Sequence, residues 1–163
     1  MSEDWTDYSV EVGVDRQLGA ELRVAPSDGS SDVAVVEHTL PAGKLAAPLH
    51  RHTHEDEISY VLEGEMGVQE GDEVRTVPAG EFAVKQRGVW HTFWNPGPDP
   101  LRFFEIISPG GFAGYFAEAA AIHDDDPDEA EARRRFEALH ETYGFELRPE
   151  SVPALIERHG LDG

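Results

Sequence analysis

A mainly-β fold is what the sequence predicts: a sandwich or barrel of short strands with helices added behind it. Three observations carry the prediction. Between residues 33 and 108 the chain breaks into short runs rich in β-branched and aromatic residues, with Gly or Pro turn signals at intervals of roughly 8–12 residues, the rhythm of sandwiches and barrels. After Pro109 the composition shifts to alanine, glutamate and arginine, with apolar residues at helical spacing. No internal repeat of solenoid length is present. A chain of 163 residues suits one domain with a proper core.

The elements follow in order. Val10, Val12 and Val14 alternate, and with Trp5 and Tyr8 nearby they predict a strand, at a sheet edge or exchanged with a partner. Residues 22–25 form a short strand and residues 26–31, Pro-Ser-Asp-Gly-Ser-Ser, a plain loop. Residues 33–40 are apolar and β-branched enough for a core strand. Further strands are expected at 49–53, 58–63, 66–69, 73–77, 81–85, 92–95 and Leu101–Ser108. In the tail, residues 112–122 are alanine-rich with aromatics at helical spacing. An acidic linker then offers N-caps for an amphipathic helix over 128–142, which Gly144 closes. A last short helix spans 153–158. Residues 1–31 thus read as N-terminal strands and loop, 32–109 as the barrel core, and 110–163 as a C-terminal helical extension of the same domain.

Charge and composition exclude several functions. There are 33 acidic residues against 13 basic ones, a formal net charge of −20, and this field repels nucleic acid and anionic membrane. Arg133–Arg135 reads accordingly as a helix surface paired with nearby carboxylates. No apolar run is long enough to cross a membrane. The acidic start, Met1-Ser2-Glu3-Asp4, lacks the features of a secretory signal, so the cytoplasm is the expected location. Zero cysteines leave nitrogen and oxygen as the donors for any metal. Lys44 and Lys85 are the only lysines, and a carboxylate-rich, lysine-poor surface matches proteins adapted to molar salt, where self-repulsion is screened. A halophilic source is therefore expected, and stability that rises steeply with KCl is its signature; equal stability at low and molar salt would refute it.

Four positions hold the chemistry. His50 and His52, spaced i, i+2, project from one face of a strand. Glu57 begins the next extended run after a turn that reverses the chain beside them, and His91 adds a donor far downstream. Imidazole nitrogens with a carboxylate oxygen suit borderline divalent metals. His54 is the alternative donor, but it shares that face only if the strand runs past His52, and it then leaves too short a step to Glu57. It reads otherwise as a surface histidine. His38, His123, His140 and His159 read as ordinary core or surface histidines.

The stretch from Gly43 through His50, His52 and Glu57 to Gly64 reads G-x6-H-x-H-x4-E-x6-G, and Gly80, Gly88, His91 and Asn95 read G-x7-G-x2-H-x3-N. These resemble the paired motifs of the cupin superfamily. Two departures lie in turns: the Gly43–His50 gap is one residue longer than usual, and Gln86 stands where the family carries proline. Every ligand position is kept. Residues 108–112, Ser-Pro-Gly-Gly-Phe, with Tyr115-Phe116, residues 143–147 and residues 158–161 are similar to the tail of quercetin-dioxygenase-like small cupins.

The resemblance implies a double-stranded β-helix, a jelly-roll cupin barrel, with the C-terminal helices packed outside. It implies that His50, His52, Glu57 and His91 point into one barrel end and hold a divalent transition metal, with Fe, Mn, Ni, Co and Zn all compatible, and that the metal leaves as pH falls through the histidine range. Glu57 stands as a general base as well as a ligand. Ser59 and Val61 share the alternation of Glu57, and Phe93 that of His91, so they face inward. Tyr60, Phe82, Trp90, Trp94, Phe103 and Phe104 permit an apolar or aromatic small-molecule substrate, although each alone is explained by core or interface. Glu105 is either a supporting carboxylate or an exposed one. A metal-dependent, quercetin-dioxygenase-like oxygenase is the leading function. A non-catalytic binding module and an isomerase or epimerase are the alternatives, and a homodimer is implied, with the N-terminal valine strand suited to pairing across it.

Overall fold

The computed structural model describes residues 7–163. Its strands are β1 (Ser9–Val12), β2 (Leu18–Val24), β3 (Ala34–Leu40), β4 (Leu49–His52), β5 (Asp56–Glu63), β6 (Glu65–Glu70), β7 (Glu73–Pro78), β8 (Phe82–Lys85), β9 (His91–Trp94), β10 (Leu101–Ser108) and β11 (Phe145–Arg148). The helices are α1 (Gly114–Asp124), α2 (Glu129–Tyr143) and α3 (Val152–His159). Two antiparallel sheets face each other, ordered β1-β2-β3-β10-β5-β8 and β11-β4-β9-β6-β7. No helix among the described residues is long and apolar enough to cross a membrane.

The period-two pattern of the sequence sets the inner faces. Ala34, Val36, His38 and Leu40 of β3 point inward, as do Leu101, Phe103, Glu105 and Ile107 of β10. From the facing sheet come Met66, Val68 and Phe93. Burying such side chains contributes about 1.5–3 kcal/mol each. The same alternation carries charge inward at one end: Glu57 on β5, Lys85 on β8 and Glu105 on β10 are all buried.

The helices cover the outside, as the composition shift implies. α1 packs on β1, and α2 lies against α1 and β11. Asp128 caps α2 by accepting the Glu131 backbone N–H at 2.8 Å, a bond of about 1 kcal/mol. Gly144, at φ 63°, ends α2 in the left-handed conformation that favours glycine. Arg133 and Arg135 pair with Glu129 and Asp125 on this surface.

Five sequence expectations need correction. The strand expected at 22–25 runs over Leu18–Val24, because Leu18, Ala20 and Leu22 all face the core. The loop at 26–31 contains a 3-10 turn at Pro26–Asp28, closed by the Asp28 carboxylate on the Ala25 N–H. The first tail helix starts at Gly114, after a 3-10 turn over Gly110–Ala113. Most consequentially, the tail is not purely helical: residues 145–148 leave the Gly144 turn as β11 and pair with β4, Phe145 opposite His52 and Leu147 opposite His50. The N-terminal valine strand is an edge strand, β1, paired with β2 of its own chain, but it stops at Val12: Gly13 turns the chain at φ 77° and Val14 begins a 3-10 turn; Trp5 lies outside the described residues.

Candidate metal centre

His50 and His52 stand on the inner face of β4, which Leu147 and Phe145 of β11 flank. His91 opens β9 directly opposite His50. The turn after His52 does more than reverse the chain, because β4 and β5 belong to different sheets. Glu57 therefore reaches the histidines across the barrel interior and does not lie beside them in one sheet. A short bond holds the corner, the Gly88 N–H donating to the His52 carbonyl at 2.7 Å.

Two of the imidazoles are held by the outer nitrogen. His50 Nδ1 lies 2.7 Å from the Pro48 carbonyl and His91 Nδ1 3.0 Å from the Val89 carbonyl. A carbonyl only accepts, so Nδ1 carries the proton in both rings and each Nε2 keeps its lone pair. His52 Nδ1 faces the buried Glu55 carboxylate at 3.6 Å. Glu55 is a supporting group that its turn position concealed in the sequence. Metal-bound histidines are oriented by just such partners on the far nitrogen.

Donor atoms of His50, His52, Glu57 and His91 all lie within 4.8 Å of one another, and all four residues are buried. Glu57 Oε1 is 3.0 Å from His52 Nε2 and 3.6 Å from His91 Nε2. Neither nitrogen has a well-directed hydrogen bond, although both are buried. Buried polar atoms that converge on a shared point without satisfying one another are expected of a set built around an ion. The cluster fits a cupin metal site. His54, by contrast, is exposed and stands against Gly144, outside the cluster.

Electrostatics separates the three histidines. Burial holds His50 well below the ordinary imidazole range, helped by repulsion from His91 and His52, and burial likewise lowers His91. Burial also works against charging His52, but the Glu57 and Glu55 carboxylates outweigh it and lift this ring to about 9. Burial acts to raise the Glu57 pKa, yet His52, His91 and Lys85 hold it well below the usual carboxylate range.

A second polar group sits deeper on the same wall. Lys85 Nζ lies 2.8 Å from Glu105 Oε1, and the Ser59 hydroxyl donates to Glu105 Oε2 at 2.6 Å. Glu105 is thus buried, which resolves the two readings of it, and burial pushes its carboxyl up to about 7 against the pull of Lys85. Lys85 stands beside Glu57 in register and 4.7 Å over the Phe93 ring. Sequence reading passed over it; the alternation Phe82 out, Ala83 in, Val84 out, Lys85 in was the available signal.

The cluster opens into a cavity of about 80 Å³. Ser59, Val61 and Phe93 face inward as expected. The aromatic wall differs from expectation: besides Phe93 it comes from Phe112, Tyr115, Phe116 and Phe145 of the tail. Phe112 and Phe145 stand 4.4 and 4.9 Å from the His52 ring. Tyr60, Phe82 and Phe104 lie on the outer sheet face. Trp90 is held between Arg51 and Arg148, Trp94 stacks on His159, and Phe103 fills the core.

Residues 36–107 match the family model described as Cupin domain. The fold is a cupin barrel. Among solved structures, a predicted oxalate decarboxylase from Thermotoga maritima superposes with a TM-score of 0.54 at 22% identity, over 64% of this chain and 92% of that one. A conserved protein with a double-stranded β-helix domain from Klebsiella pneumoniae gives 0.52 at 23% identity, over 63% and 85%. A sugar phosphate isomerase from Silicibacter pomeroyi gives 0.49 at 22% identity over 56% of this chain, and this chain spans only 59% of its length. None of the curated proteins matches the sequence. The domain match and the shared barrel support the cupin superfamily, and the histidine–glutamate cluster lies inside the matched segment.

Proposed function

We propose that this cupin is a metal-dependent enzyme, an oxygenase of the quercetin-dioxygenase-like kind acting on a small oxygenated organic molecule. One observation carries the reading: three histidines, two of them fixed by outer nitrogens bonded to backbone carbonyls, turn nitrogens, with Glu57, toward a single point at the end of an aromatic-walled cavity. His50, His52, Glu57 and His91 would hold the ion. When bound, Fe, Mn, Ni, Co or Zn supplies a Lewis acid with coordination positions free of protein, and a redox-active ion among them supplies electrons for dioxygen chemistry. The chain's own residues do the rest. Phe112 and Phe145 exclude water from the His52 side, and Glu57 is placed to accept a proton from a substrate hydroxyl.

Elemental analysis of protein purified without chelator should find about one divalent ion per chain, and the loaded form should consume oxygen with a suitable substrate. His91→Ala should weaken metal binding on the order of a hundredfold or more, since it removes a donor directly. A metal-free protein with no affinity for added Fe(II), Mn(II), Ni(II) or Zn(II) refutes the proposal.

The protein is also proposed to form a homodimer through the outer face of its six-stranded sheet. Phe82, Val84 and Val24 are 57, 45 and 39% exposed there, beside Tyr60, Phe104 and Ile106. An exposed apolar patch of this kind suits a second copy of the same chain, and salt that screens the −20 charge on each copy should strengthen the pairing. Gel filtration should give about twice 18.0 kDa, and Phe82→Asp should shift the mass toward 18.0 kDa. A wild-type protein eluting near 18.0 kDa refutes it.

A further inference from the structure

The cavity wall includes three residues with polar side chains outside the histidine–glutamate cluster: His38, Glu105 and Tyr115. Two are engaged. Both Glu105 oxygens face partners, Ser59 and Lys85, and the Tyr115 hydroxyl lies 3.2 Å from His140 Nε2. His38 is different. Its Nδ1 lies 3.0 Å from the Gly19 carbonyl, so Nδ1 carries the proton and Nε2 is a lone-pair acceptor. No described residue bonds that Nε2, although His38 is only 2% exposed. Phe103 and Phe116, each with its ring centre 5.1 Å away, wedge the ring and oppose a flip. Burial holds the imidazole neutral, pushing it down to about 4.

We infer that His38 is a substrate-specificity residue whose Nε2 accepts a hydrogen bond from a hydroxyl on the molecule bound at the metal centre. The inference rests on the metal reading above and narrows it to substrates that carry a hydroxyl donor on an otherwise apolar body. A buried acceptor left without a donor is costly, so a hydroxyl there discriminates strongly against an ether or hydrocarbon of the same shape.

3-Hydroxybenzoate carries the hydroxyl donor on an aromatic body, and 3-methoxybenzoate lacks only the donor. Nitrogen-15 NMR of the Zn(II)-loaded protein tests the inference without a variant. His38 should appear as the Nδ1-protonated tautomer, and 3-hydroxybenzoate should move its Nε2 signal toward the protonated range while 3-methoxybenzoate leaves it in place. By calorimetry the hydroxyl compound should bind about tenfold more tightly than the ether, and His38→Phe should erase that preference. An Nε2-protonated His38, an Nε2 signal unmoved by the hydroxyl compound, or equal affinity for the two probes overturns the inference. Zn(II) should separately shift the ring nitrogens of His50, His52 and His91. If it does not, the metal reading fails on its own evidence, and the His38 response is still scored in the same spectra.

Discussion

Titrating the metal-free protein with Zn(II) at pH 7.5 should release about one proton per ion bound, and the affinity should rise about tenfold per pH unit until the pH nears 9. The single proton is that of His52. His50 and His91 are held neutral by burial and Glu57 is held ionised by its histidine neighbours, so these three donors are ready at neutral pH. His52 alone is charged, kept so by Glu57 and Glu55 against the cost of burial. Its pKa is raised in the fold, so its contribution to the metal-free protein is complete below the unfolded value of 6.5 and is lost as pH rises through about 9. His50 and His91 have the opposite sign: their lowered values favour the fold above 6.5, and that contribution is lost as pH falls through them. Calorimetry in buffers of different ionisation enthalpy measures the proton count. A count near zero at pH 7.5 would mean that His52 is neutral beside two carboxylates. The histidine motif alone placed proton competition in the ordinary imidazole range; the two carboxylates around His52 move its onset upward.

Lys85→Met should destabilise the protein by about 3–5 kcal/mol at pH 8, the range for removing one partner of a buried ion pair. The cost falls on Glu105, left in the barrel without its counter-charge. Because burial already raises Glu105 to about 7, protonation relieves the variant, and the loss should shrink as pH falls toward 5. Replacing the pair together, as Lys85→Met with Glu105→Leu, should recover most of the stability, since paired apolar groups avoid the desolvation cost. Urea unfolding of the two single variants and the double at both pH values checks this. A loss below about 1 kcal/mol for Lys85→Met at pH 8 would show that water reaches the pair.

The barrel and its donors were legible because they obey local rules. Alternation placed His50 and His52 on one face, and the two motifs supplied Glu57 and His91. What the sequence concealed depends on partners remote in the chain. Alternation turns Glu105 inward with Phe103 and Ile107, but its partners Ser59 and Lys85 come from a sheet register that no local pattern specifies. Lys85 drew no reading because its counter-ion lies two strands away in the sheet. Phe145 read as part of a helical tail because its four-residue strand exists only by pairing with the open edge of β4. Glu55 sat in a turn, where a carboxylate is ordinarily solvated, until the His52 ring is seen beside it.

The position of β11 in the chain also sets an order of events. Every donor of the cluster precedes Pro109, whereas Phe112, Tyr115 and Phe145, which close the wall around His52, follow it. During synthesis the four donors leave the ribosome first, and the sealing strand arrives only after two helices have been made. Ion capture and closure are therefore separable in time. An ion taken up early meets a half-open pocket, and the later docking of Phe145 against β4 decides whether it can still leave or be exchanged.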